Sequence, residues 1–247
     1  MKVSIITASY NCADSIAETL RSVAEQDHAD IEHILVDGGS TDGTMAIAKA
    51  NAGRLAHVIS EPDNGVYDAF NKGLRQATGD AIAFLSSGDT YISSRAVSRL
   101  AKALSGAGVE AAFSDVLVVD AENHERVIRR YRSRSFSPKL MPYGFMPAHP
   151  SLFLRQEVYQ RIGEYNTSFR IAADFELCLR VFVRNHTVYR CLNEPMVRMP
   201  TGGLSNRGWR SKLQITREMR RACAINDVKT NLAKLSLRFP IKLLEMI

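Results

Sequence analysis

Three apolar runs constrain this chain more than any other feature, because each of them stops at a cluster of small polar residues. The first runs from Val3 to Ser9 and on to Asn11. The second covers His33 to Asp37 and is followed by a turn-rich stretch to Gly43. The third, Ala83 to Leu85, ends at Ser86, Ser87, Gly88 and Asp89. Short apolar runs closed by such turn residues are the pattern of buried strands. Several such runs with helical patterns between them describe parallel strands whose carboxyl ends meet at one crevice. In open α/β sheets that crevice is where nucleotides bind.

The spacing predicts strands over 3–9, 31–37, 55–60 and 81–85, alternating with helices over 14–26, 44–50 and 66–76. Asp14 is placed to cap the first of these helices, and Asn64 the third. Such alternation indicates βαβ units and a parallel sheet. The pattern then changes. A helix is expected over 93–104, then a hairpin from 111–119 and 126–131, and a loop over 132–147. A short strand over 151–155 and helices over 156–162 and 173–184 follow, with strand character over 187–191. From Trp209 onward the pattern is helical, apart from Pro240. With 45% hydrophobic and 23% charged residues the chain has the composition of a packed domain rather than a disordered one. No apolar run approaches the ~18 residues of a membrane span. The first residues read as a strand rather than a leader peptide. Cys12, Cys178, Cys191 and Cys223 have no C-x-x-C spacing, which favours reduced thiols in a cytosolic setting over a disulfide or zinc site.

The segment from Glu61 to Gly73, which contains Asp63, Asn64 and Asn71, together with the three polar strand ends, resembles the ordered motifs of family-2 glycosyltransferases. The likeness covers roughly residues 1–205, and the chain resembles bacterial exopolysaccharide and colanic-acid-type enzymes. It implies a GT-A fold, a Rossmann-like and mostly parallel sheet flanked by helices. It also implies an inverting enzyme that uses a nucleotide-activated sugar. On this likeness Thr7, Ala8, Ser9 and Asn11 line the nucleoside pocket. Asp37 matches the acid that accepts a hydrogen bond from the base, which favours a UDP-sugar. Asp63, Asn64 and Asn71 belong to the loop that closes over the nucleotide. Asp89 matches the metal-binding acid, for Mg²⁺ or Mn²⁺, with Ser87 where a carboxylate is common. Asp174 matches the general base that takes the acceptor proton, and is preferred to Glu176. His149 matches a histidine that touches the diphosphate or the acceptor. Gly203 lies in a segment that resembles a mobile loop, and Arg207 is a further candidate for the diphosphate. Each of these residues also has a plainer reading: a turn for Asp37, a helix cap for Asn64 and Asp174, a hydrogen-bonded structural ring for His149.

The charge is uneven. Residues 205–247 hold ten Lys/Arg against Glu218, Asp227 and Glu245, whereas the remainder holds 22 basic and 23 acidic residues. A boundary is therefore expected at 205/206, with a basic helical extension over 206–247. Val228, Leu232, Leu235, Phe239, Leu243 and Met246 share helical spacing and are flanked by Lys234, Arg238 and Lys242. This predicts an amphipathic stretch over 228–247 that contacts an anionic membrane surface or packs on the protein. The implied partners are a nucleotide-diphosphate sugar and a glycan or lipid-linked acceptor. The implied location is cytoplasmic, at the inner face of the membrane. A sugar nucleotidyltransferase shares the doubly wound layout but needs a Gly-rich basic loop, which residues 7–11 lack. A non-catalytic nucleotide or anionic-surface binding module is the other rival. A tail with only Trp209 and Phe239 as aromatics is a poor platform for stacking bases, which argues against nucleic acid.

Overall fold

The computed structural model describes residues 1–202 and 208–239. Its first half is the expected alternation. Strands β1 (Val3–Ser9), β2 (Ile31–Asp37), β3 (Leu55–Ser60) and β4 (Ala81–Phe84) are joined by helices α1 (Ala13–Ala24), α2 (Thr44–Ala50) and α3 (Val66–Gln76). The strands lie in the order β3-β2-β1-β4 and all three pairings are parallel. β1 is buried along its whole length and pairs on both sides, which is why its sequence is a continuous apolar run rather than an alternating one. Its register sets Ser9 opposite Asp37. α3 packs close on the sheet through Gly73, where a Cβ would overlap the Ile6 side chain.

The second half continues the same sheet with mixed direction. After the short β5 (Thr90–Tyr91) and helix α4 (Ala96–Leu104) come β6 (Ala111–Val119) and β7 (Val127–Tyr131), the expected hairpin. β8 (Phe153–Arg155) lies antiparallel between β4 and β6 and joins the two halves. After β8 come α5 (Gln156–Ile162) and α6 (Ala173–Cys178), the latter continuing as a π-helical turn over Leu179–Arg184. β9 (Tyr189–Pro200) runs parallel to β6 with register shifts opposite Ser114 and Asp115. It extends well past the five residues with strand character. Pro195 sits at the second shift, where a residue without an N–H can be tolerated in a sheet. The loop expected over 132–147 contains 3₁₀ turns at Ser133–Ser135 and Pro138–Tyr143, and a third follows at His149–Ser151.

Two expected caps are corrected. Cys12 occupies the cap position of α1, and the Ala13 amide donates instead to Asp42 Oδ2 at 3.0 Å, from the β2–α2 turn. Gly65, not Asn64, caps α3, and Asp68 reaches back to accept from the Asn64 amide at 3.0 Å.

The C-terminal helix α7 (Gly208–Ile225) is broken from α8 (Leu232–Ser236) by residues 226–231, where Asp227 has φ +58°. Met219, Ala222, Cys223 and Leu235 belong to the same hydrophobic cluster as Phe70, Phe84 and Phe175. The expected single stripe over 228–247 is thus interrupted. Leu235 faces the protein while Leu232 and Leu237 are exposed. Arg238, expected beside the stripe, is buried and donates to Thr216 Oγ1 at 2.7 Å. Pro240, Lys242, Leu243 and Met246 lie outside the described residues, as does the 205/206 boundary. No helix among the described residues is long and apolar enough to cross a membrane.

Candidate functional site

The crevice lies at the carboxyl ends of β1 to β4, where β1 pairs with β2 on one side and β4 on the other. Asp37 is at its centre and fully buried. Its Oδ1 accepts from Ser9 Oγ (3.1 Å) and Ser40 Oγ (2.5 Å). Its Oδ2 accepts from the amides of Gly39 (3.1 Å) and Ser40 (2.9 Å) and from Ser60 Oγ (2.9 Å). Burial opposes the charge, but the donors of Ser40, Ser60 and Ser9 outweigh it and hold the carboxyl below its ordinary pKa. Both oxygens are occupied, so the direct contact to a base expected of Asp37 has no acceptor position left. The plainer reading, a carboxylate that shapes its turn, fits this geometry.

The carboxylate that remains available is that of Asp63. It leans over Gly38, where a Cβ would lie 2.5 Å from Asp63 Oδ2 and would push the carboxylate aside. Oδ1 accepts from the Gly65 amide at 2.8 Å, while Oδ2 makes no hydrogen bond among the described residues. Asn11 accepts from the Thr41 amide and its own amide donates to Ser40 Oγ, tying the β1 loop to the β2 turn. Thr7 Oγ1 meets His33 Nε2 at 2.9 Å in the core and does not line the crevice. Tyr10, not among the expected residues, follows β1 directly and is 64% exposed. Asn71 is corrected too: it is buried, with both amide ends bound to the Tyr165 backbone at 2.9 Å.

Ser87 closes the other side of the crevice, its amide and hydroxyl both donating to the Ala8 carbonyl. Asp89 follows. It is almost fully buried, and burial raises its pKa to about 8, against a smaller lowering by the Ser86 backbone. The nearby Tyr91 hydroxyl, also buried, has no hydrogen-bond partner among the described residues. Among those residues no group of three or more His, Cys, Asp or Glu side chains is arranged to hold a metal. A single carboxylate that resists ionising without a counter-charge nevertheless suits Mg²⁺ or Mn²⁺, which take one or two carboxylates and fill the rest of their shell with phosphate oxygens and water.

Asp174 lies on α6 beyond this crevice, one position past the start of the helix. Ala172, not Asp174, is the cap. Its Oδ1 accepts from the Phe175 amide at 2.7 Å and lies 3.3 Å from the Tyr67 hydroxyl, which donates more closely to the Ile171 carbonyl at 2.6 Å. Oδ2 is bound by no other described residue. Burial, aided by the charge of Glu218, raises the Asp174 pKa to about 6 in spite of these hydrogen bonds. Glu176 is a different case. It is buried, paired with Arg180 at 2.7 Å, and accepts from Asn226 at 3.1 Å. No acceptor hydroxyl can use it without breaking that network.

His149 Nε2 pairs with the Tyr165 hydroxyl at 2.7 Å and the ring stacks on Phe70. Burial lowers its pKa to about 4, so at neutral pH it carries no charge for a diphosphate. Tyr165 in turn stacks on Tyr67. His149 and Asp174 are thus linked through two tyrosines, and Tyr67 comes from the same segment that supplies Asp63. Gly203 and Arg207 lie outside the described residues.

A sequence-family model described as "Glycosyl transferase family 2" matches residues 4–163. An uncharacterized glycosyltransferase of Mycobacterium tuberculosis is 34% identical over 196 residues, covering 77% of this chain and 72% of its own. Staphylococcus aureus TarS 1-349 in complex with UDP-GlcNAc superposes with a TM-score of 0.71 at 18% identity, over 95% of this chain and 70% of that one. Glucosyl-3-phosphoglycerate synthase of M. tuberculosis, in complex with Mn²⁺, UDP and glucosyl-3-phosphoglycerate, gives 0.64 at 19% identity, over 90% and 80%. These likenesses identify the sheet and its flanking helices as a GT-A fold.

Proposed function

Since the chain belongs to glycosyl transferase family 2, we propose that it moves one sugar, with inversion, from a nucleotide-diphosphate donor to a hydroxyl of a glycan or lipid-linked acceptor. The observation that carries this reading is the pairing of a polar crevice at the strand ends with Asp174, a carboxylate that has one oxygen available and a pKa raised to about 6. Above that pH Asp174 is ionised yet still basic enough to take a proton, which is what a general base near neutrality requires. In the proposed step Asp174 Oδ2 removes the acceptor hydroxyl proton. The acceptor oxygen forms its bond to the anomeric carbon as the bond from that carbon to the diphosphate breaks on the opposite face. The nucleoside diphosphate leaves with both bonding electrons. Tyr67 holds the peptide before Asp174 and keeps water from one side of it.

A UDP-sugar is the donor we favour. Asp63 Oδ2 is the acceptor for the N3–H of uracil, and Tyr10 is the ring on which the base stacks. TarS and the M. tuberculosis synthase, bound to UDP-GlcNAc and UDP in their structures, support this choice. Asp89 would hold a divalent cation, which when bound neutralises charge on the leaving diphosphate. The Mn²⁺ in the synthase complex supports that assignment. For the acceptor, the exposed Leu232 and Leu237 beside Lys229 and Lys234 support contact with an anionic membrane surface, where lipid-linked sugars reside.

The test is a thermal-shift screen of UDP-, GDP- and dTDP-sugars with Mn²⁺, followed by turnover of the donor that shifts most. A UDP-sugar that stabilises the parent only with metal, and fails to stabilise Asp89→Ala, is the expected result. Stabilisation by no nucleotide sugar would refute the proposal.

A further inference from the structure

We infer that Glu218, on the C-terminal helix α7, is a positioning residue for Asp174: its carboxylate anchors the two peptide units that lead into the helix carrying that base. This rests on the reading of Asp174 as the general base. Glu218 Oε2 accepts from the amides of Ile171 (2.8 Å) and Ala172 (2.9 Å), while Gln214 Nε2 donates to Oε1 at 3.0 Å. The Ile171 carbonyl is held from the other side by the Tyr67 hydroxyl. The peptide approach to Asp174 is therefore clamped between α3 and α7, by two side chains 151 positions apart in the sequence.

The charge of the anchor matters as well as its geometry. A neutral acceptor would satisfy two amides, but a carboxylate also repels the Asp174 charge and so makes that group a stronger base. Among the described residues, the titratable groups that act on Asp174 include Tyr67 of α3, Tyr165 in the loop before α6, Cys178 on α6 itself, and Glu218 of α7. None of these four is a cation. The basic extension thereby contributes one of its few acids directly behind the proposed base.

The test uses the full chain as Glu218→Gln, Glu218→Ala and Asp174→Asn. Titration of ¹³C-labelled aspartate by NMR, with Asp174 assigned through its loss in Asp174→Asn, needs no ligand. The parent signal should titrate near pH 6. Both Glu218 variants should move it down by about half a unit or more, since a nearby like charge is removed. Turnover of the UDP-sugar retained in the screen supplies the second readout. Glu218→Ala should lower kcat about tenfold and leave the donor KM within about twofold, because the anchor acts on the base and not on donor binding. Glu218→Gln keeps an oxygen for both amides, so it should retain more turnover, with the acid limb of its pH profile shifted down. It also decides the matter should Glu218→Ala fail to fold. A midpoint and kcat unchanged in the Glu218 variants, whatever the loss in Tm, would overturn the inference alone. Near-parental turnover in Asp174→Asn would overturn the base assignment and this inference with it.

Discussion

Asp174 and Glu176 sit two residues apart on one short helix, and their surroundings give them different work. Asp174→Asn should lower kcat by about 10²–10⁴-fold with donor KM little changed, the usual worth of a positioned base. Glu176→Ala leaves Arg180 and Asn226 without their buried partner. It should cost about 3 kcal/mol or more in urea unfolding, since an uncompensated buried charge is what remains. A turnover collapse in a folded Glu176→Gln, with Asp174→Asn active, would reverse the assignment. The two acids of the crevice divide similarly. Asp63→Ala should weaken UDP binding by about tenfold in calorimetry, the scale of one hydrogen bond to a charged group, and leave Tm unchanged. Asp37→Ala should instead lower Tm, because five donors lose their acceptor at once. Equal loss of UDP affinity without a loss of Tm would return the base contact to Asp37.

At the scale of elements, the first four strands and three helices were legible because each strand is a short apolar run with turn chemistry at its end, and each helix has a sided apolar pattern. β9 was legible only at its start, since Pro195 and the neighbouring Asn193 and Glu194 contradict strand propensity and the parallel partner β6 overrides them. The residues of the site fared unevenly for a related reason. Asp174 is proposed as the base on the strength of its motif, whereas the partners of Tyr67 and Glu218 lie 104 and about 47 positions away, and nothing in local spacing reports such pairs. Asp37 ends β2 as the apolar run indicated, but its saturation by Ser9, Ser40 and Ser60 is a property of three strand ends together. The tail shows the limit of periodicity. Helical spacing continues through 226–231 where the backbone does not, and it does not distinguish Leu235, which is buried, from Leu232, which is exposed. The double substitution Leu232→Ser and Leu237→Ser should therefore reduce co-sedimentation with anionic liposomes at unchanged Tm. Removal of 228–247 should lower Tm as well, because it takes Leu235 and Arg238 out of the core. Liposome binding unaffected by either change would exclude α8 from the contact.

For the molecule as a whole the buried titratable groups set a pH dependence with two limbs. Glu32, held by Lys2, Ser4 and Thr78 against the cost of its burial, has its pKa lowered to about 2, and its stabilisation is lost as pH falls from about 4.5 toward 2. His33, buried, and His149, half-buried, are neutral, with pKa values lowered to about 3 and 4. Each histidine alone makes the unfolded chain bind more protons up to about pH 6.5, a contribution that rises with pH, whereas Asp174, raised to about 6, acts in the opposite direction between about pH 4 and 6. Asp89 has the opposite sign. Folded, it keeps a proton up to about pH 8, whereas unfolded it loses one near 4. The folded state binds more protons in that window, so its contribution falls as pH rises through it. Between pH 6.5 and 8 the histidines no longer oppose this. The metal-free protein should then lose about 2–4 °C in Tm per pH unit, and Asp89→Asn should abolish the slope. Saturating Mn²⁺ should also flatten it, because a metal-bound carboxylate has already given up its proton. A slope that persists in Asp89→Asn would mean that Asp89 does not titrate in this range.

The five donors on Asp37 have a consequence for how the chain reaches this state. They come from the ends of β1 and β3 and from the turn after β2, so the carboxylate has its full set of donors only when all three strand ends are in register. A slip of one residue between β1 and β2 would turn Ser9 to the opposite face and remove its hydroxyl, while the turn after β2 and Ser60 keep the charge bonded. Asp37 thus favours the native register by one hydrogen bond to each neighbouring strand, a bias toward correct pairing built in before any ligand arrives.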